Sequence, residues 1–165
     1  MTNTGTTTLS LTTTTGGNGV TTSCTASQNG GFIYQSGGST LDLDLITMTI
    51  ASPRATNGRG GLIYVALSSA SGNINLQTPI VTSAQAGQHG GLIYFTGVNL
   101  DLTATSVSLT TMTVPSGYNG GGLYISNSGY TNILINTGTI ATPTAGLNGG
   151  FLYKTGGTTY SIDLR

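Results

Sequence analysis

A short motif built around a glycine pair occurs five times along the chain at an almost constant spacing. Each copy has two glycines, a third residue that is Phe, Leu or Gly, an Ile or Leu, and a tyrosine. The tyrosines are Tyr34, Tyr64, Tyr94, Tyr124 and Tyr153, and they follow one another after 30, 30, 30 and 29 residues. A period of roughly 20–50 residues is typical of solenoids, in which each coil buries its apolar face against neighbouring coils. The motif therefore predicts a stack of coils.

The composition favours strands over helices. Only 5% of the 165 residues are charged, compared with about a quarter in an ordinary soluble domain. Threonine and other β-branched residues favour strands, whereas glycine suits the corners between strands. Since no segment has the periodicity of an amphipathic helix, we expect an all-β chain.

Two further patterns predict a second and a third strand in each coil. The second strand has two aliphatic residues around a middle one, which places the aliphatic side chains inside and the middle one outside. Its copies are Leu9-Ser10-Leu11, Leu41-Asp42-Leu43, Ile74-Asn75-Leu76, Leu100-Asp101-Leu102, Ile133-Leu134-Ile135 and Ile162-Asp163-Leu164. The third strand has an apolar residue followed by two small ones. Its copies are Cys24-Thr25-Ala26, Ile50-Ala51-Ser52, Val81-Thr82-Ser83, Val114-Pro115-Ser116 and Ile140-Ala141-Thr142.

Three strands and three corners in about 30 residues describe a parallel β-helix, or β-solenoid, of about five coils, and parallel crossovers favour a right-handed one. We expect a single domain over residues 1–165. Its coils span 30–59, 60–89, 90–119 and 120–148, with partial coils at 1–29 and 149–165. The second and third strands are separated by 4 residues from Ile74 to Thr78 and by 11 from Leu100 to Thr111, which predicts an insertion at that corner.

Alternation along the first strand predicts which side chains are inside. The fourth position of the motif is always aliphatic, and we expect it to form a buried column of Ile33, Ile63, Ile93, Leu123 and Leu152. The tyrosines then point outward as a ladder with rungs about 4.8 Å apart. Phe32, Leu62, Leu92 and Phe151 flank that ladder. The sixth position shares the inner face and is polar only at Gln35 and Lys154, in the first and last copies, where a finite stack is open to solvent.

A threonine ladder is predicted on the outer face of the third strand, three positions and one position before its apolar residue. Its residues are Thr21, Ser23, Thr47, Thr49, Thr78, Ile80, Thr111, Thr113, Thr137 and Thr139. The array resembles the flat threonine faces of ice-binding β-solenoids, which implies ice as a ligand. The tyrosine ladder is a second candidate interface, because an exposed apolar strip is more often an interface than a free surface.

A corner column precedes the glycine pairs, where left-handed backbone angles favour Asn and Gly. Its members are Asn29, Arg59, His89, Asn119 and Asn148. Repeats of Asn-Gly-Gly, an apolar residue, Ile and Tyr resemble the Gly-Gly-Ala-Ile repeats of right-handed parallel β-helix surface proteins. Examples are bacterial polymorphic outer-membrane and autotransporter passengers and the Thr/Ser-rich surface proteins of ciliates. The resemblance implies a surface location.

The sequence predicts no catalytic residue, no cofactor and no metal. Asp42, Asp44, Asp101 and Asp163 share the outer face of the second strand. Asp42 and Asp101, two rungs apart with Asn75 between, approach the separation of an inverting glycosidase pair, but no basic residue accompanies them on that face. We interpret His89 as a turn residue and Cys24 as a small core residue.

Nucleic acid and membrane partners are not expected. The chain has zero net charge with four scattered basic residues, which gives no footprint for a phosphate backbone. No apolar run is long enough to span a membrane, and the first residues lack the regions of a signal peptide.

The uniform ladders favour a structural protein over an enzyme, because catalysis needs unlike residues at one place. The second-strand pattern occurs both at Leu9 and at Ile162, a whole number of turns apart, without a charged or helical cap. We therefore expect an extracellular or cell-surface β-solenoid that stacks head to tail on copies of itself into a filament. The alternative is a binding module for ice or carbohydrate on the threonine or tyrosine ladder. The threonine-rich surface also suits O-linked glycans.

Overall fold

The computed structural model of the protein describes residues 5–12, 20–21, 23–38 and 40–165. These residues form an all-β fold without a helix, a parallel β-solenoid of about five stacked coils of about 30 residues each. The predicted fold class is confirmed, while the right-handedness of the coils stays a prediction. Each coil contributes one strand, or a pair of short strands, to each of three sheets.

We name the three sheets by the residues that they present outward. The tyrosine sheet contains β4 (Ile33–Ser36), β8 (Ile63–Ala66), β12 (Ile93–Gly97), β15 (Leu123–Asn127) and β18 (Leu152–Thr155). The aspartate sheet contains β1 (Thr6–Thr12), β5 (Thr40–Ile46), β9 (Ser71–Gln77), β13 (Leu100–Thr105), β16 (Tyr130–Asn136) and β19 (Thr159–Leu164). The threonine sheet contains β2 (Val20–Thr21), β3 (Thr25–Ala26), β6 (Thr49–Ala51), β7 (Arg54–Ala55), β10 (Ile80–Thr82), β11 (Gln85–Ala86), β14 (Ser108–Ser116) and β17 (Thr139–Gly146).

Identical positions of successive coils lie directly beside one another in the tyrosine sheet. All strand pairs are parallel, and the five tyrosines form one column in register. Alternation along each strand then places the fourth motif position inside, as predicted. Ile33, Ile63, Ile93 and Leu123 are at most 6% exposed, and Leu152 in the last coil packs against the same core. The core is therefore a set of stacked aliphatic columns between the three sheets.

The glycine pair is required by two different constraints. The first glycine, for example Gly90 with φ of +70°, has the left-handed conformation that favours glycine over residues with a Cβ. The second lies against backbone on two sides. A Cβ on Gly91 would be 2.1 Å from the carbonyl oxygen of Gly121 and 2.8 Å from backbone atoms of Thr113. The tyrosine sheet and the threonine sheet therefore approach each other at this corner as closely as two backbones can.

The third motif position points inward, which corrects the prediction that it flanks the tyrosines outside. Leu62 and Leu92 are at most 1% exposed and belong to the core, while Phe32 and Phe151 are partly buried against it. The physical reason is that this residue lies in the bend before the strand begins. Strand alternation therefore does not apply to it, and the turn carries its side chain inside.

The second strand is displaced by two residues from its predicted alignment in two coils. The column of Leu9 continues with Leu43, Ile74, Leu102, Ile133 and Ile162. Alternating residues fit two registers that differ by two positions, and both keep the same side chains inside. With the correct register, Ser106 follows Leu102 by the same four residues (106 − 102) that separate Thr78 from Ile74. The predicted insertion at this corner is therefore wrong.

Gln35 is not open to solvent, although the sequence predicts a solvated end position. It is fully buried, and its amide nitrogen donates to the hydroxyl of Thr7 at 3.3 Å and to the carbonyl of Gly37 at 3.0 Å. Its oxygen Oε1 has no hydrogen-bond partner among the described residues. The strand β1 covers this coil, because the aspartate sheet begins before the first glycine pair. Lys154 at the other end is partly exposed.

Within the described residues, no helix is long and apolar enough to cross a membrane.

Replacing Gly91 by alanine should lower the free energy of unfolding by about 3 kcal/mol or more, because strands of two sheets must move to admit the Cβ. Gly117→Ala is the matched control. Gly117 has φ of +86°, and no atom lies within 4 Å of the position that a Cβ would occupy there, so backbone strain alone should cost about 1 kcal/mol. Urea-induced unfolding measures both variants. Equal losses would show that the close approach at Gly91 contributes nothing.

Candidate functional site

The five tyrosines form a continuous stack along the outside of the tyrosine sheet. Neighbouring ring centroids are 5.1, 5.2, 5.0 and 5.2 Å apart, and the rings are inclined by 6, 4, 7 and 22°. Tyr34 at one end is 39% exposed, whereas Tyr94 in the middle is 7% exposed. Both faces of each inner ring are therefore covered by the next tyrosines, and the ring edges are what remains for solvent.

The corner column of Asn29, Arg59, His89, Asn119 and Asn148 connects coils through side chains. Asn29 Oδ1 accepts from the backbone N–H of Arg59 at 2.9 Å, and Asn119 Oδ1 accepts from that of Asn148 at 3.1 Å. His89 takes the same place, since its Nδ1 accepts from the backbone N–H of Asn119 at 3.1 Å. The imidazole thus substitutes for an asparagine oxygen, which agrees with its interpretation as a turn residue.

Arg59 and His89 lie over the middle of the tyrosine stack. The Arg59 guanidinium is 5.1 Å from the centroid of the Tyr94 ring, and it donates to the Tyr94 hydroxyl at 3.2 Å and to Gln88 Oε1 at 3.0 Å. The His89 ring is 4.6 Å from that of Tyr124. Burial raises the pKa of Tyr94 above its ordinary value. The sequence did not predict this contact of Arg59 with the tyrosine stack. A long side chain that extends to the next coil produces no repeated pattern in the sequence.

The acids of the aspartate sheet are each paired with a polar side chain of a neighbouring coil or residue. Asp42 and Asp44 accept from Asn73 and Asn75, both at 2.9 Å. Asp101 accepts from Asn132 at 3.3 Å and from the Tyr130 hydroxyl at 2.7 Å, and that hydrogen bond raises the pKa of Tyr130. Asp163 pairs with Arg165 at 2.6 Å.

The separation of Asp42 and Asp101 by two rungs is as predicted, but the residue between them is Asn73 rather than Asn75. Asn73 donates to Asp42, so an amide lies between the two carboxylates.

The predicted threonine ladder is in register over three coils and out of register over two. Thr47 and Thr49, Thr78 and Ile80, and Thr137 and Thr139 occupy equivalent positions. Between the last two pairs the column continues with Ser106 and Ser108, not with Thr111 and Thr113. In the first coil Thr21 pairs with Ile50, and Ser23 lies outside the strands.

The misalignment has a specific cause in the third-strand pattern. Leu109 is the apolar partner of Val81 and Ile140, whereas the sequence predicted Val114. Both residues are followed by residues that fit the pattern, and five positions separate them.

Cys24 was misplaced for the same reason. It directly precedes Thr25, which pairs with Arg54, so it lies beyond the Ile50 column. It is partly buried against the core, and burial raises the pKa of its thiol.

The correct register defines a different surface, which we call the hydroxyl face. It comprises Thr47, Thr49, Ala51, Ser52, Thr78, Ile80, Thr82, Ser83, Ser106, Ser108, Thr110, Thr111, Thr137, Thr139, Ala141 and Thr142. All are small or medium-sized and uncharged. Hydroxyls of neighbouring coils lie 3.2–3.3 Å apart at both edges of the face, as between Thr78 and Thr47 or between Thr111 and Thr142.

The two edges of the hydroxyl face have an unusual backbone. Thr47, Ser52, Thr78, Ser83, Ser106, Thr111, Thr137 and Thr142 all have φ between 48 and 55°. A β-branched residue is uncommon in this left-handed region, where Gly or Asn is expected. This is why the sequence placed Thr47, Thr78 and Thr137 on a flat strand rather than at a corner.

The architecture and surfaces together define the class of this protein, a parallel β-solenoid with uniform outward columns. Comparisons with protein-family models, with curated proteins and with solved structures find no match to the chain. The resemblance of its repeat to bacterial and ciliate surface proteins stays a prediction.

Acidification should destabilise the protein through His89. Burial and the charge of Arg59 lower the pKa of His89 below its ordinary value, and the N–H of Asn119 requires Nδ1 to be unprotonated. Above pH about 6.5 both folded and unfolded states hold a neutral imidazole, whereas below it the unfolded state takes up the proton more readily. The free energy of unfolding should therefore fall as the pH decreases from about 7.5 to 5.5.

The control is His89→Asn, which restores the residue found elsewhere in the column and keeps an acceptor for the same N–H. Its melting temperature should change less between the two pH values than that of the wild type. An identical pH dependence in both proteins would contradict the role assigned to His89.

Proposed function

We propose that this protein is a structural β-solenoid, a rod without catalytic activity that acts outside the cell or on its surface. The observation that carries the proposal is that outward side chains of successive coils contact one another in columns along the rod. Tyrosine stacks on tyrosine, corner amides bind the next coil, and aspartates accept from asparagines. An active site needs unlike groups that converge on one point. The surface location rests on the resemblance of the repeat to those of surface proteins.

The geometry of the tyrosine stack makes it a poor platform for sugars. A sugar ring packs on the face of an aromatic ring, and the faces of Tyr64, Tyr94 and Tyr124 are covered by the next rings at 5.0–5.2 Å. The stack instead contributes to the stability of the rod, since offset aromatic pairs add roughly 0.5–1.5 kcal/mol each beyond burial.

End-to-end association of copies is supported by the last coil. Ile162 and Leu164 are 42% and 57% exposed, whereas Ile133 and Ile135, their neighbours in the same columns, are 1% and 4% exposed. Leu147 on the threonine sheet side is 60% exposed. Apolar columns of this kind are covered when another coil is added, and the strand edges of a second copy offer such a coil.

Sedimentation velocity of the full chain at increasing concentration tests association. We expect the wild type to form larger species, and the double variant Ile162→Lys and Leu164→Lys to remain monomeric, because buried charge opposes a further coil. Thr103→Lys, which adds a charge on the outer face of a central coil, is the control and should associate like the wild type. A wild type that stays monomeric at every concentration would refute association while leaving the single rod intact.

Ice binding is a second candidate, favoured by the hydroxyl face rather than by the ladder predicted from sequence. Its four coils repeat at a strand spacing of about 4.8 Å, and all sixteen of its residues are uncharged. Such a regular array of methyl and hydroxyl groups suits an ordered water lattice better than an irregular partner.

Thermal hysteresis and ice-crystal shape measure this activity. If the hydroxyl face binds ice, Thr78→Tyr should abolish hysteresis because the bulky ring interrupts the array. Thr103→Tyr on the aspartate sheet should retain it. No hysteresis in the wild type at high concentration, or equal hysteresis in both variants, would exclude this candidate.

A further inference from the structure

Arg54 is a cation on the side of the rod that has no partner among the described residues. Of the other basic residues, Arg59 binds Gln88 and Tyr94, Lys154 donates to the carbonyl of Gly156, and Arg165 pairs with Asp163. The Arg54 guanidinium makes no hydrogen bond or ion pair with any described residue. All four acids of the chain belong to the aspartate sheet, so no carboxylate of the protein is placed to compensate this charge.

Arg54 lies in a cleft that crosses three coils of the threonine sheet. The cleft has a volume of about 410 Å³, toward the lower end of the range for ligand sites, about 300–1,000 Å³. Its walls include Arg54, Thr56, Gln85, Gly87, Thr113 and Pro115. Strands β7 and β11 end at Ala55 and Ala86, whereas β14 continues to Ser116. The longer strand gives the cleft one side.

Three polar side chains share one outward column in this cleft. Arg54 pairs in register with Gln85, and Gln85 pairs with Thr113, so a guanidinium, an amide and a hydroxyl follow one another at the strand spacing of about 4.8 Å. No hydrogen bond joins these three side chains to one another, in contrast to the pairs of aspartate and asparagine on the aspartate sheet.

The chemistry of the column indicates what it would recognise. The planar guanidinium presents paired N–H donors that match a carboxylate. The amide of Gln85 and the hydroxyl of Thr113 both donate and accept, which suits the hydroxyl groups of a sugar. Arg54 is the one charged residue among those that line the cleft, and the chain as a whole has zero net charge. Such a site does not suit a polyanion such as nucleic acid.

We propose that this cleft binds an acidic sugar unit, whose carboxylate lies on Arg54 and whose hydroxyls lie on Gln85 and Thr113. The site is on a side wall of the rod, away from the exposed Ile162 and Leu164 of the last coil. Binding at Arg54 and association through the last coil are therefore independent, and either can fail alone.

NMR titration of the ¹⁵N-labelled full chain tests the proposal with three probes. Glucuronate carries both the carboxylate and the hydroxyls. Its methyl ester keeps the hydroxyls without the charge, and acetate keeps the charge without the hydroxyls. Glucuronate should cause saturable shifts of the amide signals of residues 54, 85 and 113, whereas the ester and acetate should each bind at least about tenfold more weakly.

Two matched variants identify the residue responsible. Arg54→Gln and Arg165→Gln remove the same charge, so the first should weaken glucuronate binding at least about tenfold and the second should leave it unchanged. Because Arg54 is exposed, the variant should fold, and unchanged signals of the tyrosine column would verify that it does. The proposal is overturned if glucuronate gives no saturable shift, if Arg54→Gln binds as tightly as the wild type, or if acetate equals glucuronate.

Discussion

The structure depends on the contact between backbones at the second glycine of each pair. At Gly31, Gly61, Gly91 and Gly121, a Cβ would lie within 2.1–2.3 Å of the carbonyl oxygen of the next coil and against the backbone of the threonine sheet. This contact fixes where the tyrosine sheet begins relative to the threonine sheet. The aliphatic columns on either side are thereby held at a constant depth, which is why the buried side chains can be so similar from coil to coil. Length variation is accommodated elsewhere, as near the end of β14, where its register with β17 shifts between Thr113 and Ser116.

Contacts between successive coils supply hydrogen-bond partners for the outward polar groups of a chain with few charges. Such groups can be paired either with water or with a neighbouring coil. Here the neighbouring coil is the partner. The side chains of Asn29, His89 and Asn119 accept from a backbone N–H of the next coil, and Asp44 accepts from the side chain of Asn75. Departures from uniformity are then informative. The Arg59 guanidinium lies over the ring of Tyr94, whereas that of Arg54 has no comparable neighbour in the part of the chain that the structure describes.

The parts of the structure that could be predicted from the sequence are those that a distinctive motif marks. The motif that joins a glycine pair to a tyrosine occurs once per coil, so the fold class, the coil length and the tyrosine column follow from its spacing. The other strands carry only generic marks. Alternating leucines around Asp42 fit two registers, and the segment from Leu109 to Val114 fits the third-strand pattern twice. The predicted threonine ladder is therefore out of register at Thr111 and Thr113, whereas Thr47 and Thr78 are in register although they lie at corners.

Contacts between side chains of different coils were beyond prediction for another reason. The cleft at Arg54 results from the different lengths of β7, β11 and β14, and a repeat pattern describes what the coils share rather than how they differ. The partner of Gln35 likewise could not be predicted, because Thr7 lies in a strand that precedes the first glycine pair.

The left-handed corners of the hydroxyl face have a consequence for how the protein acquires its structure. Eight threonines and serines have φ near 50°, a conformation that these residues do not favour on their own. Nothing local in an isolated repeat would select it, so a coil gains its corners only by pairing with one already formed. A single excised repeat would therefore lack the information for its own shape. We therefore expect folding to begin with a nucleus of adjoining coils, on which later coils add one by one.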